Sequence, residues 1–352
     1  MVLLFLGIHF AYAQKVVPYQ DDFFVIRHFR FSDGSSLDSL RLHYYYLGTP
    51  HLNKQGQVDN AVLIMHGTGG SGESLLTENF AGYLFRAGEI LDAEKYFIIL
   101  PDAIGHGKSS KPSDGKKMHF PAYTYDDMVD ADYLLLKNKL QVQHARLIMG
   151  TSMGAMHTWI FGYRYPDFMD ALLPLASLPV EIGGRNRILR KMVIDAIKED
   201  PAWNQGNYVQ EPALGLRHAL DILMIMSSAP LQWQKEAPTR QSAEAYLNRY
   251  LLNAVKGRDA NDMIYQFDAS RDYNPAPYLS KIKAPLLAIN SADDQINPPE
   301  LKILDTAILK VPHGKYILLP ISSETRGHGT HSLPKIWGNY LKAFLEQTKT
   351  DR

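Results

Sequence analysis

Short apolar runs alternate with longer segments of helical periodicity along most of the chain. Six of these runs are bounded by turn residues and are largely apolar, which is typical of strands buried on both faces of a sheet. They lie at 61–65, 96–100, 146–149, 171–176, 285–289 and 316–319. Strands that alternate with helices predict an α/β fold with a mostly parallel sheet and crossover helices.

Two earlier segments have a different pattern. Segments 24–31 and 41–47 alternate apolar and polar residues, as antiparallel strands at the edge of a sheet do. Asp33 and Gly34 supply turn residues between them. We therefore expect an antiparallel pair ahead of the parallel strands.

The interval from 177 to 284 is far too long for a single crossover between two strands. Its helical patterns lie at 187–198, 213–226 and 242–255. We predict that 179–282 form a helical cap, inserted into a core that consists of 14–178 and 283–352.

The N-terminal residues have the pattern of a secretory signal. Residues 2–10 are mostly apolar, and Ala11, Tyr12 and Ala13 supply an A-x-A cleavage site before Gln14. The run is too short to span a membrane, which takes about 20 apolar residues. We predict a signal peptide at 1–13 and an exported, periplasmic protein. A buried first strand is the alternative for this segment, and the chain is then expected in the cytoplasm.

Composition narrows the range of partners. Lys and Arg number 37, equal to Asp and Glu, and no long block of like charge occurs, so a nucleic-acid partner or an anionic membrane surface is not expected. The chain has no cysteine, which excludes disulfides, thiolate zinc sites and a cysteine nucleophile. A small-molecule substrate is the expected partner, and a homodimer is a candidate assembly.

The strongest chemical motif lies at 147–156, which reads L-I-M-G-T-S-M-G-A-M. A strand pattern runs into G-x-S-x-G and then into a helical pattern that ends at Pro166. This is the context of a nucleophile elbow, in which a tight strand-to-helix turn exposes the serine hydroxyl. Gly150 and Gly154 let the backbone pack where a side chain would clash. We predict Ser152 as a catalytic nucleophile.

A serine hydroxyl needs a base, normally a histidine that is oriented by a carboxylate. After an elbow of this kind, the acid and then the histidine follow along the chain. Asp294 follows the predicted strand 285–289 and is the predicted acid, with Asp293 as its rival. His328 lies between two glycines after the last predicted strand and is the predicted base, with His331 as its rival.

Donors for the oxyanion of a tetrahedral intermediate are expected after strand 61–65. Residues 66–72 read H-G-T-G-G-S-G, a glycine-rich loop in the position of an HG-type oxyanion loop. We predict the backbone N–H groups of Thr68 and Met153 as the donors. A nucleotide-binding loop is excluded because the Lys and Ser/Thr ending of G-x-x-x-x-G-K-[ST] is missing.

Several further segments match a known family, and they lie at 152–156, 165–167, 196–203, 206–208, 259–261, 294 and 298–300. The cap segment A-I-K-E-D-P-A-W at 196–203 is among the specific matches, because the serine elbow is shared more widely. The chain thus resembles the homoserine O-acetyltransferase-like branch of the α/β-hydrolase superfamily over most of its length. That resemblance implies an α/β-hydrolase fold and acetyl transfer from acetyl-CoA to the homoserine hydroxyl through an acetyl-serine.

Three features differ from that branch. Gly329 follows the predicted base where the family transferases typically carry Asp, and the oxyanion loop reads H-G-T-G rather than H-A-L-T-G. The turn at 101–109, P-D-A-I-G-H-G-K-S, resembles the PDxxGxGxS turn of many α/β hydrolases, where His106 is expected to have a structural role.

We therefore predict a serine hydrolase that acts on a small ester, amide or lactone through an acyl-Ser152 intermediate, without a cofactor or metal. The alternative is an O-acetyltransferase of the homoserine O-acetyltransferase type that uses acetyl-CoA. A third alternative is a non-catalytic ligand-binding protein, against which the ordered Ser, Asp and His argue. Five cap residues are candidates to line the substrate pocket: Trp203, Tyr208, Met224, Met226 and Trp233.

Overall fold

The structure is a computed structural model that describes residues 16–348. The predicted signal segment 1–13 lies outside the described residues, so the structure does not test it. Eight strands form one sheet in the order β1-β2-β4-β3-β5-β6-β7-β8. Their bounds are β1 Gln20–Arg30, β2 Ser36–Leu47, β3 Ala61–Met65, β4 Phe97–Pro101, β5 Leu147–Thr151, β6 Leu172–Leu175, β7 Leu286–Ser291 and β8 Gly314–Leu319.

Strand direction follows the predicted pattern. β1 pairs antiparallel with β2, and β2 pairs antiparallel with β4. Every other pair of neighbours is parallel. β2 begins at Ser36, earlier than the predicted start at 41, because 36–40 pair with the end of β1 and bury Leu37 and Leu40. The predicted α/β class with a mostly parallel sheet is confirmed.

The central strands are apolar except at the carboxyl ends of β5 and β7, because helices cover both faces of the sheet. Every residue of β3, β4, β5, β6 and β7 is buried. Successive residues of a strand point to opposite faces. Accordingly Ala61, Leu63 and Met65 of β3 belong to one apolar cluster, and Val62 and Ile64 belong to a second cluster. The sheet is therefore the middle layer of three.

The α-helices of the described chain have these bounds: α1 Ala81–Leu84, α2 Tyr125–Leu134, α3 Met153–Arg164, α4 Gly184–Lys198, α5 Ala213–Met226, α6 Pro230–Glu236, α7 Arg240–Ala254, α8 Ala260–Asp268, α9 Ile303–Ala307 and α10 Pro334–Gln347. Residues of α2 and α3 pack in the first cluster, and residues of α1 and α10 pack in the second. No helix within residues 16–348 is long and apolar enough to cross a membrane.

Helices α4 to α8 lie between β6 and β7, in the segment predicted as a cap. Val193, Ile197, Leu220 and Met263 are among the buried residues of a third apolar cluster that α4, α5, α7 and α8 share. The predicted helical patterns correspond to α4, α5 and α7. The pattern did not predict α6, which has no buried residue and hence no apolar stripe, or the short α8.

Loops at the carboxyl ends of the parallel strands carry the predicted site residues. The glycine-rich loop follows β3, Ser152 follows β5, Asp294 follows β7, and His328 lies in the segment after β8. Because carboxyl ends of parallel strands meet at one edge of a sheet, these loops converge although they are far apart in sequence.

Candidate active site

The turn between β5 and α3 holds Ser152 in a strained backbone conformation. Its φ is 54° and its ψ is −109°, a combination that residues other than glycine rarely adopt. The turn is also too tight for side chains beside it. A Cβ on Gly150 would lie 2.2 Å from the Gly154 carbonyl group, and a Cβ on Gly154 would lie 2.1 Å from the Met65 carbonyl oxygen. The two glycines therefore allow α3 to begin directly against β3.

A continuous chain of hydrogen bonds joins Ser152, His328 and Asp294. His328 Nε2 lies 2.7 Å from Ser152 Oγ, and His328 Nδ1 lies 2.8 Å from Asp294 Oδ2. All three side chains are buried or nearly so. The structure thus brings together the predicted nucleophile, base and acid at hydrogen-bonding distance.

Asp294 is held by its own loop. Its Oδ1 accepts hydrogen bonds from the backbone N–H groups of Ile296 (2.8 Å) and Asn297 (3.2 Å), and Asn297 Nδ2 donates to Oδ2 at 2.9 Å. Burial alone would raise the pKa of Asp294, but the charge and hydrogen bond of His328, together with these donors, lower it below its ordinary value. The carboxylate is therefore ionised and fixed in orientation.

The rival acid, Asp293, faces other partners. Its Oδ1 accepts a hydrogen bond from Ser291 Oγ at 2.5 Å, and its Oδ2 accepts one from Thr325 Oγ1 at 2.8 Å. Asp293 therefore joins the end of β7 to the segment that carries His328. Asp294, not Asp293, is the carboxylate hydrogen-bonded to His328.

The rival base, His331, lies beside His328 with ring centroids 5.2 Å apart. Its Nδ1 is buried without a hydrogen-bond partner among the described residues. Burial and the nearby His328 lower the pKa of His331 to about 3. His331 lines the same cavity as Ser152, so it is neither a surface residue nor the imidazole bonded to the serine hydroxyl.

The glycine-rich loop after β3 lies against the serine turn. A Cβ on Gly67 would lie 3.4 Å from Ser152 Cβ, and Thr68 lines the same cavity as Ser152. Gly154 N donates to the His66 carbonyl at 3.0 Å, which ties the loop to the start of α3. Met153 is the first residue of that helix, so its N–H has no acceptor within the helix. Both predicted oxyanion donors therefore lie on segments next to Ser152.

His66 is the first residue of this loop, and the His106 ring lies beside it with the two ring centroids 5.0 Å apart. His66 Nε2 accepts a hydrogen bond from Ala103 N at 3.1 Å, so its proton is on Nδ1, which donates to the Gly67 carbonyl. His106 Nδ1 donates to the Ile104 carbonyl at 3.0 Å. Burial holds the pKa of both histidines below the ordinary value. Among the described residues neither imidazole is hydrogen-bonded to Ser152, in agreement with the structural role expected for His106.

A cavity of about 350 Å³ opens at Ser152 and reaches under the cap. Of the five cap residues predicted to line a pocket, only Met226 is among its lining residues. Trp203 and Tyr208 instead make hydrogen bonds inside the cap, to Asn261 and Asp259 respectively. The lining is mixed, with these residues: Gly67, Thr68, Gly70, Ser74, Leu75, Phe80, Thr151, Ser152, Arg190, Leu223, Met226, Ser227, Tyr250, Phe267, Ile296, His328, His331 and Ser332.

Sequence reasoning missed one charged member of this lining, Arg190, because Arg at helical spacing in a cap normally faces solvent. The apolar residues next to Arg190 on α4 were the only sequence signal that this face of the helix is buried. Among residues 16–348, no group of three His, Asp or Glu side chains could hold a metal ion.

Known protein families and curated relatives match most of the chain. A family model of the α/β hydrolase fold matches residues 60–320. A probable acyltransferase of Methanothermobacter thermautotrophicus is 29% identical over 326 residues. The matched region covers 92% of this chain and 97% of the length of the acyltransferase. A homoserine O-acetyltransferase of Haemophilus influenzae is 29% identical over 300 residues, covering 76% of this chain and 81% of its own.

Solved structures agree in fold. Homoserine O-acetyltransferase from Bacillus anthracis superposes with a TM-score of 0.81 at 20% identity, covering 93% of this chain and 97% of its own. The acetyl esterase MekB superposes with a TM-score of 0.80 at 22% identity, with the same coverage. The protein is therefore an enzyme, an α/β-fold hydrolase or acyltransferase. The chain belongs to the α/β-hydrolase family, in its homoserine O-acetyltransferase-like branch.

Proposed function

We propose that the protein is a serine esterase that hydrolyses a small ester, or an amide or lactone, through an acyl-Ser152 intermediate. One observation carries the proposal: His328 lies 2.7 Å from Ser152 Oγ through Nε2 and 2.8 Å from Asp294 through Nδ1. A serine hydroxyl, an imidazole and an ionised carboxylate in this order form the arrangement that activates serine for acyl transfer.

The proposed reaction has two halves. His328 Nε2 takes the hydroxyl proton as Ser152 Oγ attacks the ester carbonyl carbon, and then gives that proton to the departing alcohol oxygen. In the second half, water loses a proton to Nε2 and attacks the acyl carbon, and Ser152 Oγ leaves with that proton. Asp294 accepts the hydrogen bond from Nδ1–H in both halves and balances the imidazolium charge.

The backbone N–H groups of Thr68 and Met153 are the proposed donors to the oxyanion. The approach of the glycine-rich loop to Ser152 and the free N–H at the start of α3 support this assignment. Both groups belong to packed backbone, so they need no rearrangement as charge develops on the oxygen.

The nucleophile is tested with a fluorophosphonate probe and p-nitrophenyl acetate. The wild-type protein is expected to be labelled at Ser152 and to release nitrophenol without CoA. Ser152→Ala is expected to lose the label and to lower kcat by about a thousandfold or more. Ser227→Ala removes another serine of the cavity lining and is the matched control, expected to keep both. Labelling of a different serine in the wild type would overturn the assignment.

Acetyl transfer is the second candidate, because two of the relatives are described as a probable acyltransferase and a homoserine O-acetyltransferase. Both activities pass through an acyl-serine and differ in whether water or a bound alcohol attacks it. The esterase proposal expects p-nitrophenyl acetate hydrolysis to exceed the formation of O-acetylhomoserine from acetyl-CoA and homoserine. A much higher rate of O-acetylhomoserine formation would favour the transferase.

Export is proposed on the N-terminal sequence pattern alone. Cleavage after Ala13 leaves Gln14 as the first residue of the protein purified from its native source, which Edman degradation or mass spectrometry identifies. An intact Met1 on that protein would contradict the proposal.

A further inference from the structure

Arg190 is a buried cation that lines the Ser152 cavity. Arg190 lies on α4 and is 2% exposed. It lines the same cavity as Ser152 and His328. Its Nε donates to Asn186 Oδ1 at 2.9 Å. Its Nη1 donates to Tyr125 OH at 3.4 Å and to Ser270 Oγ at 3.3 Å. Its Nη2 donates to none of residues 16–348, which leaves one end of the guanidinium fork unused.

The partners of Arg190 are all neutral. Among residues 16–348, no carboxylate oxygen lies close enough to this guanidinium, 4.0 Å or less, to form an ion pair. Arg187 on the same helix, in contrast, pairs with Asp268. The Phe267 ring, whose centroid is 5.6 Å from Cζ, offers only a weak cation–π contact. A buried charge without a counter-ion is costly, so the fold alone gives no reason for a cation at this position.

We propose that Arg190 binds a carboxylate of the substrate. This inference rests on the proposed function and names its substrate class: a small ester that carries a carboxylate on its acyl or its alcohol part. The unused Nη2 can donate charge-assisted hydrogen bonds to a carboxylate oxygen, and Leu223, Met226 and Ile296 of the same cavity lining lower the local polarity and strengthen such a bond. Hydrolysis then releases a dicarboxylate or a hydroxy acid.

Two pairs of esters test the charge and its position. Monomethyl succinate and methyl succinamate differ in charge on the acyl part, and 3-acetoxypropanoate and 3-acetoxypropanamide differ in charge on the alcohol part. The wild type is expected to have a kcat/KM about tenfold or more higher for the carboxylate in one pair. The pair that shows this preference identifies the part of the substrate that faces Arg190.

Arg190→Gln is expected to remove the preference by lowering kcat/KM about tenfold or more further for the carboxylate ester than for the amide ester. The amide ester is the internal control for folding. Arg190→Lys keeps the charge and is expected to restore part of the preference. Equal wild-type rates within both pairs would overturn the proposal. A parallel loss for both esters in both variants would also overturn it, because it would indicate a purely structural Arg190.

Binding separates this inference from the proposed function. Calorimetry on Ser152→Ala is expected to show binding of 3-hydroxypropanoate or succinate, but not of 3-hydroxypropanamide or succinamide, and Arg190→Gln in that background is expected to abolish it. If the wild type hydrolyses no ester and this binding is present, the esterase proposal fails and the role of Arg190 stands. If esters are hydrolysed without charge preference and neither carboxylate binds, the role of Arg190 fails and the esterase stands.

Discussion

Two adjacent aspartates have different tasks in this molecule because their side chains leave the backbone in different directions. Asp294 accepts three hydrogen bonds from its own loop and one from His328. Asp293 instead accepts hydrogen bonds from Ser291 and Thr325. Both residues are aspartates with the same side-chain chemistry, so their different hydrogen-bond partners come from their positions in the fold.

This difference predicts unequal effects of two conservative substitutions. Asp294→Asn is expected to lower kcat by about 10³- to 10⁴-fold, because the amide no longer fixes the Nδ1–H tautomer of His328; this magnitude is the one known for the corresponding change in a serine protease. Asp293→Asn is the matched control and is expected to change kcat by less than about tenfold. Ester hydrolysis by the two purified variants measures both. A larger loss in Asp293→Asn would contradict the assignment.

Chain order made most of the candidate site predictable at the residue scale. An elbow serine followed by a strand-end Asp and a late His narrows the choice to a few residues, and Asp294 and His328 lie in contact as expected. The sequence could not show which of His328 and His331 is hydrogen-bonded to the serine, since both lie at one short turn, Gly329–Ser332. It also could not show Arg190 lining the cavity, because that depends on how the cap helices lie over the core.

At the scale of elements, the turn from β5 into α3 combines strain with close packing. Ser152 has a positive φ, and α3 begins where a Cβ on Gly154 would overlap the β3 carbonyl of Met65. The added Cβ is fixed to the backbone of α3, and the atom that it would overlap is the Met65 carbonyl oxygen, so no side-chain rotation can relieve the contact.

Gly154→Ala is therefore expected to destabilise the protein by about 3 kcal/mol or more, or to prevent folding, because α3 must move away from β3. Gly183→Ala is the control: a Cβ there meets nothing within 4 Å, and the free energy of unfolding is expected to change by less than about 1 kcal/mol. Urea unfolding of both variants measures the difference. Similar midpoints for the two variants would show that the turn tolerates a side chain.

The elements themselves were predictable to the extent that they are buried. The parallel strands are short continuous apolar runs, so their sequence positions matched within a few residues. α6 was missed because it buries no residue, and β2 was predicted too short because Ser36, Asp38 and Ser39 interrupt its alternation. A segment without an apolar stripe or a regular alternation gives no periodic signal from which the element could be predicted.

Across the whole molecule, His43 joins segments that are distant in sequence. Its Nδ1 lies 2.8 Å from Asp102 in the turn after β4, and its Nε2 lies 2.9 Å from Asp21 on β1. Asp102 also accepts a hydrogen bond from Gly72 N at 2.7 Å, at the end of the glycine-rich loop. Lys108 pairs with Asp21 at 3.1 Å. This network, buried at His43 and Asp102 and exposed at Asp21 and Lys108, links the edge of the sheet to the glycine-rich loop of the candidate site.

This network predicts a pH-dependent contribution to stability. Burial alone would lower the pKa of His43, but Asp102 and Asp21 raise it above the ordinary value. A histidine whose pKa is raised by folding stabilises the protein most below pH of about 6.5, and that stabilisation is lost as pH rises through the folded-state pKa. Both carboxyls have lowered pKa values, so they remain ionised over this range.

The loss of unfolding free energy in His43→Gln is therefore expected to be larger at pH 6 than at pH 9. Chemical denaturation of variant and wild type at both pH values measures it, and the surface variant His28→Gln is the control, expected to show no such difference. A loss that is independent of pH would show that His43 is not more basic in the folded protein.

The hydrogen bond between His328 and Ser152 spans 176 residues of chain. During synthesis, the serine turn and its neighbouring strands are made before the histidine, so the proposed nucleophile has no base until the segment after β8 has been made. The proposed activity therefore depends on the segment that carries His328, and not only on the strands around Ser152. Nascent chains stalled before His328 should be inert toward fluorophosphonates even where their core is already compact.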